Sequence, residues 1–352
     1  MPLSVGGKRL RVRLSNVFGT QPLPLSAHVA LAKAAGSPAI RPGTDRALTF
    51  GGRSEAVIPA GGEIWSHPVA LAAPPLSDLV VSLHFGQPPQ GQTSHPGSRT
   101  TSWLVHGDRA SAPDLSGGRQ VAHWFELSGV EVETSRTPRG VIVALGDSIT
   151  DGRGSTTNGD DRWPDRLARR LQGTPGFAGI GVVNAGIGGN RVLADSLGPS
   201  ALGRLERDVL SEPGVKTLIV LEGINDLGVL DRDRPSDAAR EAQVRQLEDA
   251  YARIIDDAHA HGITVIGGTL TPDGGTQTYP TTLPDEAARQ ELNAWIRAPG
   301  HFDAVADFDA ALRDPGQPSR LELAFDSGDH LHPSPAGYQA MAEVVPIAAV
   351  KR

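Results

Sequence analysis

The chain has 352 residues and a formal net charge of −7; 39% of the residues are hydrophobic and 21% charged. That length points to two domains, and the acidic balance without a basic run excludes a nucleic-acid or anionic-membrane face. The absence of cysteine excludes disulfides, thiol catalysis and cysteine zinc sites, and no apolar run reaches the roughly 20 residues of a membrane-spanning helix.

The opening "MPLSVGGKRL" lacks the apolar core of a signal peptide, so it leaves the localisation unknown. From about residue 8 to 133 the pattern has period two. "RLRVRL" sets Arg9, Arg11 and Arg13 against Leu10, Val12 and Leu14, and "DLVVSLHF" puts Leu79, Val81, Leu83 and Phe85 on one face. Turn clusters such as "PAGGE" and "AAPPLSD" punctuate these runs. Short strands with Gly/Pro breaks and no helical period predict an antiparallel β-sandwich or jelly-roll-like domain over 1–134. The polar stretch "ETSRTPRG" (133–140) reads as the linker.

After it the grammar changes. Strands are expected at 141–145, 180–184, 215–222, 263–268 and about 303–307, the first four as continuous apolar runs. Such runs suit a parallel sheet covered on both faces. A helix is expected from Trp163, with Pro164 in its first turn and Gly173 at its end. Another spans 237–261, with Ser236 as N-cap and Gly262 as stop. The β-α-β-α order over 135–352 predicts a doubly wound α/β sheet.

In such a sheet ligands bind beyond the carboxyl ends of the strands. "VIVALGDSITDG" places Ser148 at one such end. "VVNAGIGGNR" follows the second strand, "LEGINDLG" brings Asn225 and Asp226 after the third, and "DSGDHLHPSPAGY" puts Asp329 and His332 before the last helix. A serine hydroxyl needs a base to become a nucleophile. Histidine is the usual base, a carboxylate holds its tautomer, and hydrogen-bond donors must meet the oxyanion. The four segments contain one of each.

"GDSIT", "NAGIGGN", "GIND" and "DHLH", in that order, resemble the four sequence blocks of the SGNH or GDSL-type ester hydrolases across 141–345. The wording of the blocks is most similar to the XynE-like arylesterase/acylhydrolase group, in which an amino-terminal β domain precedes the hydrolase. The resemblance implies a flavodoxin-like hydrolase fold, an upstream segment with a leader, and secretion. It makes Ser148 the nucleophile, His332 the base and Asp329 its partner, with Ser148, Gly189 and Asn225 as oxyanion donors. Gly188 competes with Gly189. His330, four residues after Asp326, competes with His332, which is preferred beside Pro333 and the final helix. Asp226 reads as a turn-former or N-cap, Arg191 as a surface ion pair and Trp163 as core. No cofactor or metal is expected, although His330, His332, Asp326 and Asp329 compose a metal-like set. The expected activity is hydrolysis of small acyl esters of aryl or sugar alcohols, free or on a polysaccharide. The alternatives are a lysophospholipase- or lipase-like acylhydrolase, and a carbohydrate-binding protein whose α/β half is not catalytic.

Overall fold

The computed structural model describes residues 1–89, 91–134 and 139–351; the core of the expected linker, 135–138, lies outside them. The chain divides into two compact units, one of Met1–Thr137 with Thr157–Gly159, the other of Pro138–Thr156 with Asp160–Arg352.

The described residues of the first unit form β1 (Gly7–Ser15), β2 (Leu23–Leu31), β3 (Arg46–Ala47), β4 (Glu55–Ile58), β5 (Glu63–Trp65), β6 (Val69–Ala73), β7 (Leu79–Phe85), β8 (Ser94–Pro96), β9 (Ser102–Leu104), β10 (Arg119–Val121), β11 (His123–Phe125) and β12 (Leu127–Glu133). All pair antiparallel. β1 lies between β12 on one side and β5 and β6 on the other. β2 lies between β7 and the pair β3 and β4. One core holds Leu10, Val12 and Leu14 of β1 with Leu25, Ala27 and Val29 of β2, and Val81, Leu83 and Phe85 pack against it. The alternation seen in the sequence is therefore the alternation of the sandwich. The arginines of β1 face outward, where register brings Arg9 opposite Glu133 and Arg11 opposite Glu131.

The second unit is built on five parallel strands: β13 (Val141–Gly146), β14 (Gly181–Gly186), β15 (Val215–Leu221), β16 (Thr264–Gly268) and β17 (Ala304–Ala306). Their order, β14-β13-β15-β16-β17, is the flavodoxin-like 2-1-3-4-5. The helices are α1 (Ser148–Asp151), α2 (Trp163–Gly173), α3 (Ala201–Leu205), α4 (Ile224–Asp231), α5 (Asp237–Ala260), α6 (Leu283–Arg297), α7 (Phe308–Leu312) and α8 (Pro335–Val344). Ser236 caps α5 by accepting the Ala239 N–H, and Gly262 beyond it has φ +71°. α2 starts as expected, but Gly173 is its last helical residue and Thr174, in extended backbone, ends it. Trp163 is fully buried in the core.

Register sets up the site. Gly146 of β13 stands opposite both Gly186 of β14 and Leu221 of β15. The three strands thus end level, and the segments that follow them rise side by side. α1 turns directly across these ends: a Cβ on Gly146 would lie 2.1 Å from Thr150 Oγ1, and one on Gly186 would lie 2.2 Å from the Asp151 nitrogen. Only glycine fits at either position.

Candidate active site

Ser148 is the first residue of α1, 8% exposed, and Asp147 caps the turn by accepting the Ile149 N–H at 2.9 Å. The Ser148 Oγ lies 2.8 Å from Nε2 of His332, and Nδ1 of His332 lies 2.7 Å from Oδ2 of Asp329. The other oxygen of Asp329 accepts the backbone N–H groups of His332 and Leu331. Burial opposes its charge. The imidazole and these N–H groups nonetheless hold the Asp329 carboxyl well below the usual carboxylate range. It is therefore an anion fixed against Nδ1, which requires the proton there and leaves the Nε2 lone pair for the serine hydroxyl.

His330 is elsewhere. Its φ of +60° turns the chain, its ring is half exposed, and its Nδ1 pairs with Asp326. The two histidines of "DHLH" thus have separate carboxylates, and the one that reaches Ser148 is His332.

Gly189 has φ +71°, in the left-handed region that favours glycine, whereas Gly188 does not. Neither backbone N–H has a hydrogen-bond partner among the described residues. Asn225, 3% exposed near the start of α4, donates one amide hydrogen from Nδ2 to the Asn190 carbonyl at 2.9 Å. Its Oδ1 accepts the Tyr279 hydroxyl at 2.7 Å. With the oxygen occupied by a donor the amide has one orientation, and its second N–H has no partner among the described residues.

Asp226 is neither a turn-former nor the cap of its own helix. Its carboxylate accepts the N–H groups of Val192 and Leu193 and so pins the glycine-rich segment to α4. Burial raises that carboxyl to about 6, against the pull of the two N–H groups. Arg191 donates to the Asp195 carbonyl rather than forming a surface ion pair.

A residue without any sequence signature organises the floor. Arg204 of α3 is completely buried. It donates to the carbonyls of Gly146 at the end of β13 and Ala185 in β14, to Oδ1 of Asn190, and to Oε1 of Glu222, which follows β15. Glu222 is raised well above the ordinary glutamate value by burial and by nearby Asp147, with Arg204 opposing. Asp147 is raised as well, first by burial and then by Asp226. The site therefore rests on buried carboxyl groups arranged around one guanidinium. Neither Tyr279 nor Arg204 sits in a sequence motif. One lies in a polar loop and the other in an ordinary amphipathic stretch, and nothing in their local spacing marks them.

A family model described as GDSL-like lipase/acylhydrolase matches residues 144–340. No curated protein matches the chain. Among solved structures, an acetylxylan esterase from Geobacillus stearothermophilus is 20% identical, with 60% of this chain and 94% of that one aligned at a TM-score of 0.44. A GDSL-like lipase from Bacteroides thetaiotaomicron is 18% identical, covering 60% and 88% at 0.44. An α/β hydrolase enzyme from the metagenome of Lake Arreo, Spain, is 20% identical, covering 61% and 96% at 0.45. The family match spans more than half of the chain and takes in the segments of Ser148, Gly189, Asn225 and His332: the chain belongs to the GDSL-like lipase/acylhydrolase family and is a carboxylic-ester hydrolase.

Proposed function

We propose that the chain hydrolyses short acyl esters of aryl or sugar alcohols through a Ser148 acyl-enzyme. The observation that carries this reading is the hydrogen-bonded series from Ser148 through His332 to Asp329, with a 2.8 Å contact at the nucleophile. The Oγ attacks the ester carbonyl while His332 Nε2 takes its proton, and Asp329 stabilises the imidazolium that results. The carbonyl oxygen becomes an oxyanion held by the N–H groups of Ser148 and Gly189 and by the second N–H of Asn225 Nδ2. His332 then returns the proton to the leaving alkoxide. A water molecule, deprotonated by the same nitrogen, releases the acid and restores the serine. The finer likeness to the XynE-like group is part of this proposal.

What surrounds these donors supports that substrate class. They lie on short turns, and the large apolar side chain beside the glycine is Leu197, which is 82% exposed and packs near Gly189. One such contact suits an acetyl to butyryl chain or an aryl group. Each further methylene gains about 0.8 kcal/mol only where an apolar channel receives it. The test is kcat/KM across p-nitrophenyl esters from acetate to palmitate, with acetylated xylan alongside. We expect a maximum at acetate to butyrate, and a maximum at laurate or beyond overturns the assignment in favour of a lipase.

A further inference from the structure

The segment between β14 and α3 does more than carry Gly189. It leaves the sheet at Gly186, runs out as a loop over 192–199 and returns at the start of α3. Its two ends are tied together. The Ala201 N–H donates to the Arg191 carbonyl, and Asn190 Nδ2 donates to the Pro199 carbonyl at 2.8 Å. Asp195 ties the middle to both ends: its carbonyl accepts Arg191 Nη2, and its Oδ1 accepts the Ser200 N–H. The base is pinned from outside by Asp226, through the N–H groups of Val192 and Leu193. Compact loops with joined ends, packed by their own side chains, are frequently functional.

The tip of this loop reaches back over Gly188 and Gly189. The Ser196 hydroxyl donates to the Gly189 carbonyl at 3.1 Å and accepts the Leu197 N–H at 2.6 Å. Leu197 is thereby set beside Gly189: a Cβ built on that glycine would lie 2.9 Å from Leu197 Cδ1. Gly198 comes down on Ile187, since a Cβ on it would lie 3.3 Å from Ile187 Cγ2. Leu197 and Ile187 thus bracket the two glycines with apolar surface. Yet Leu197 is 82% exposed. A single exposed leucine is ordinary. This one is held by its neighbour's hydroxyl against the glycine whose N–H has no partner among the described residues.

We propose that Leu197 selects the acyl half of the ester: it is a fixed apolar cover beside the oxyanion glycine, buried only when an acyl chain lies against it. The inference rests on the acyl-enzyme reading given above. In that reading the leaving oxygen must stand within reach of His332 Nε2, which returns its proton. The alcohol therefore lies toward the 326–334 segment, and the acyl group is left on the other side of the carbonyl. The loop belongs to that other side. Its hydrogen bonds go to the glycine-rich segment, to α3 and to Asp226, and none among the described residues goes to 326–334. The cover is one-sided. It rewards the first methylenes beyond acetyl, which lie against it, and offers no channel to enclose a long chain. The alcohol gains nothing from it.

The experiment compares kcat/KM of the full chain, Leu197→Ala and Leu197→Met on p-nitrophenyl acetate and butyrate, and on phenyl and ethyl acetate. Leu197→Ala should lower the butyrate-to-acetate ratio about fivefold, the worth of two methylenes covered on one side, while p-nitrophenyl acetate itself stays within about twofold. Leu197→Met keeps the apolar reach and should keep the ratio. The phenyl-to-ethyl ratio, at a fixed acetyl group, should not move in either variant. The proposal is overturned if the butyrate-to-acetate ratio is unchanged in Leu197→Ala, or if both esters fall equally, which is the mark of a merely structural role. It is overturned equally if the methionine form behaves like the alanine form, or if the phenyl-to-ethyl ratio falls instead, which would set the alcohol against the leucine. Failure of the acyl-enzyme reading looks different: Ser148→Ala would then retain turnover of p-nitrophenyl acetate, and the inference would fall with that reading.

Discussion

Asn225 would be a poor oxyanion donor if its amide could turn over, because half of its orientations would present an oxygen. The Tyr279 hydroxyl removes that freedom by donating to Oδ1 at 2.7 Å, and its ring is itself seated against Gly228, where a Cβ would lie 2.3 Å from it. On the proposed mechanism Tyr279 is thus a positioning residue. Tyr279→Phe should lower kcat about five- to tenfold, the worth of about 1 kcal/mol of lost hydrogen bond, with KM nearly unchanged. In an Asn225→Ala background, itself down about 10²–10³ in kcat, the same change should do nothing further. Steady-state kinetics of the four proteins measure this, and an additive loss would remove Tyr279 from the role. The proposed nucleophile and base are tested more bluntly. Ser148→Ala and His332→Ala should each reduce ester turnover by several orders of magnitude, while His330→Ala should change it less than about twofold, since that ring faces Asp326. A severe loss in His330→Ala would contradict the geometry.

At the scale of elements, the site exists because β13, β14 and β15 end at one level, and Arg204 keeps them there by bonding to a residue in or directly after each. Arg204→Met preserves the volume of the stem but leaves the Ala185 carbonyl, Asn190 Oδ1 and Glu222 without the guanidinium, and the Gly146 carbonyl with the Ile187 N–H alone. Breaking such an assembly costs about 3–5 kcal/mol. Chemical denaturation should show that loss, and a loss below about 1 kcal/mol would mean that water replaces the guanidinium. While the sequence set no bounds for β2, β4, β5, β6 and β12, β1, β7 and β13 to β17 were readable to within two residues, because an apolar run or strict alternation leaves few other ways to bury that surface. β3 and β8 to β11 were not. Each spans two or three residues, too few to show any period, so only pairing across the sandwich defines them.

For the whole molecule the distribution of buried acids predicts how stability moves with pH. Burial raises Glu126 to about 7 and Asp226 and Asp273 to about 6; Asp231, buried and beside Asp285, rises to about 7. Between about pH 4, where unfolded carboxyls lose their protons, and pH 7, these groups keep theirs in the folded state. The folded chain then binds more protons than the unfolded one, so stability falls as pH rises through this window. Asp329, Asp303 and Asp307, held below the usual range by hydrogen bonds and nearby charge despite their burial, act the other way. The stability they contribute is lost only as pH drops below about 4. Thermal unfolding measured from pH 5 to pH 8 should therefore show a falling melting temperature, and one that climbs toward pH 8 would refute this reading.

The sequence by itself determined the two kinds of domain, because period two and continuous apolar runs are local consequences of how a strand is covered. It also determined the serine, the glycine-rich turn and the asparagine at strand ends, because such residues in such places have few structural uses. His332 was preferred over His330 in the sequence on a resemblance, but that its ring reaches Ser148 is visible only in the tertiary structure, since the contact spans 184 positions. The same holds for Asp226 reaching back to Val192 and Leu193, and for Tyr279 and Arg204. Their roles are hydrogen bonds between distant segments, and no spacing along the chain encodes a partner that only folding brings near.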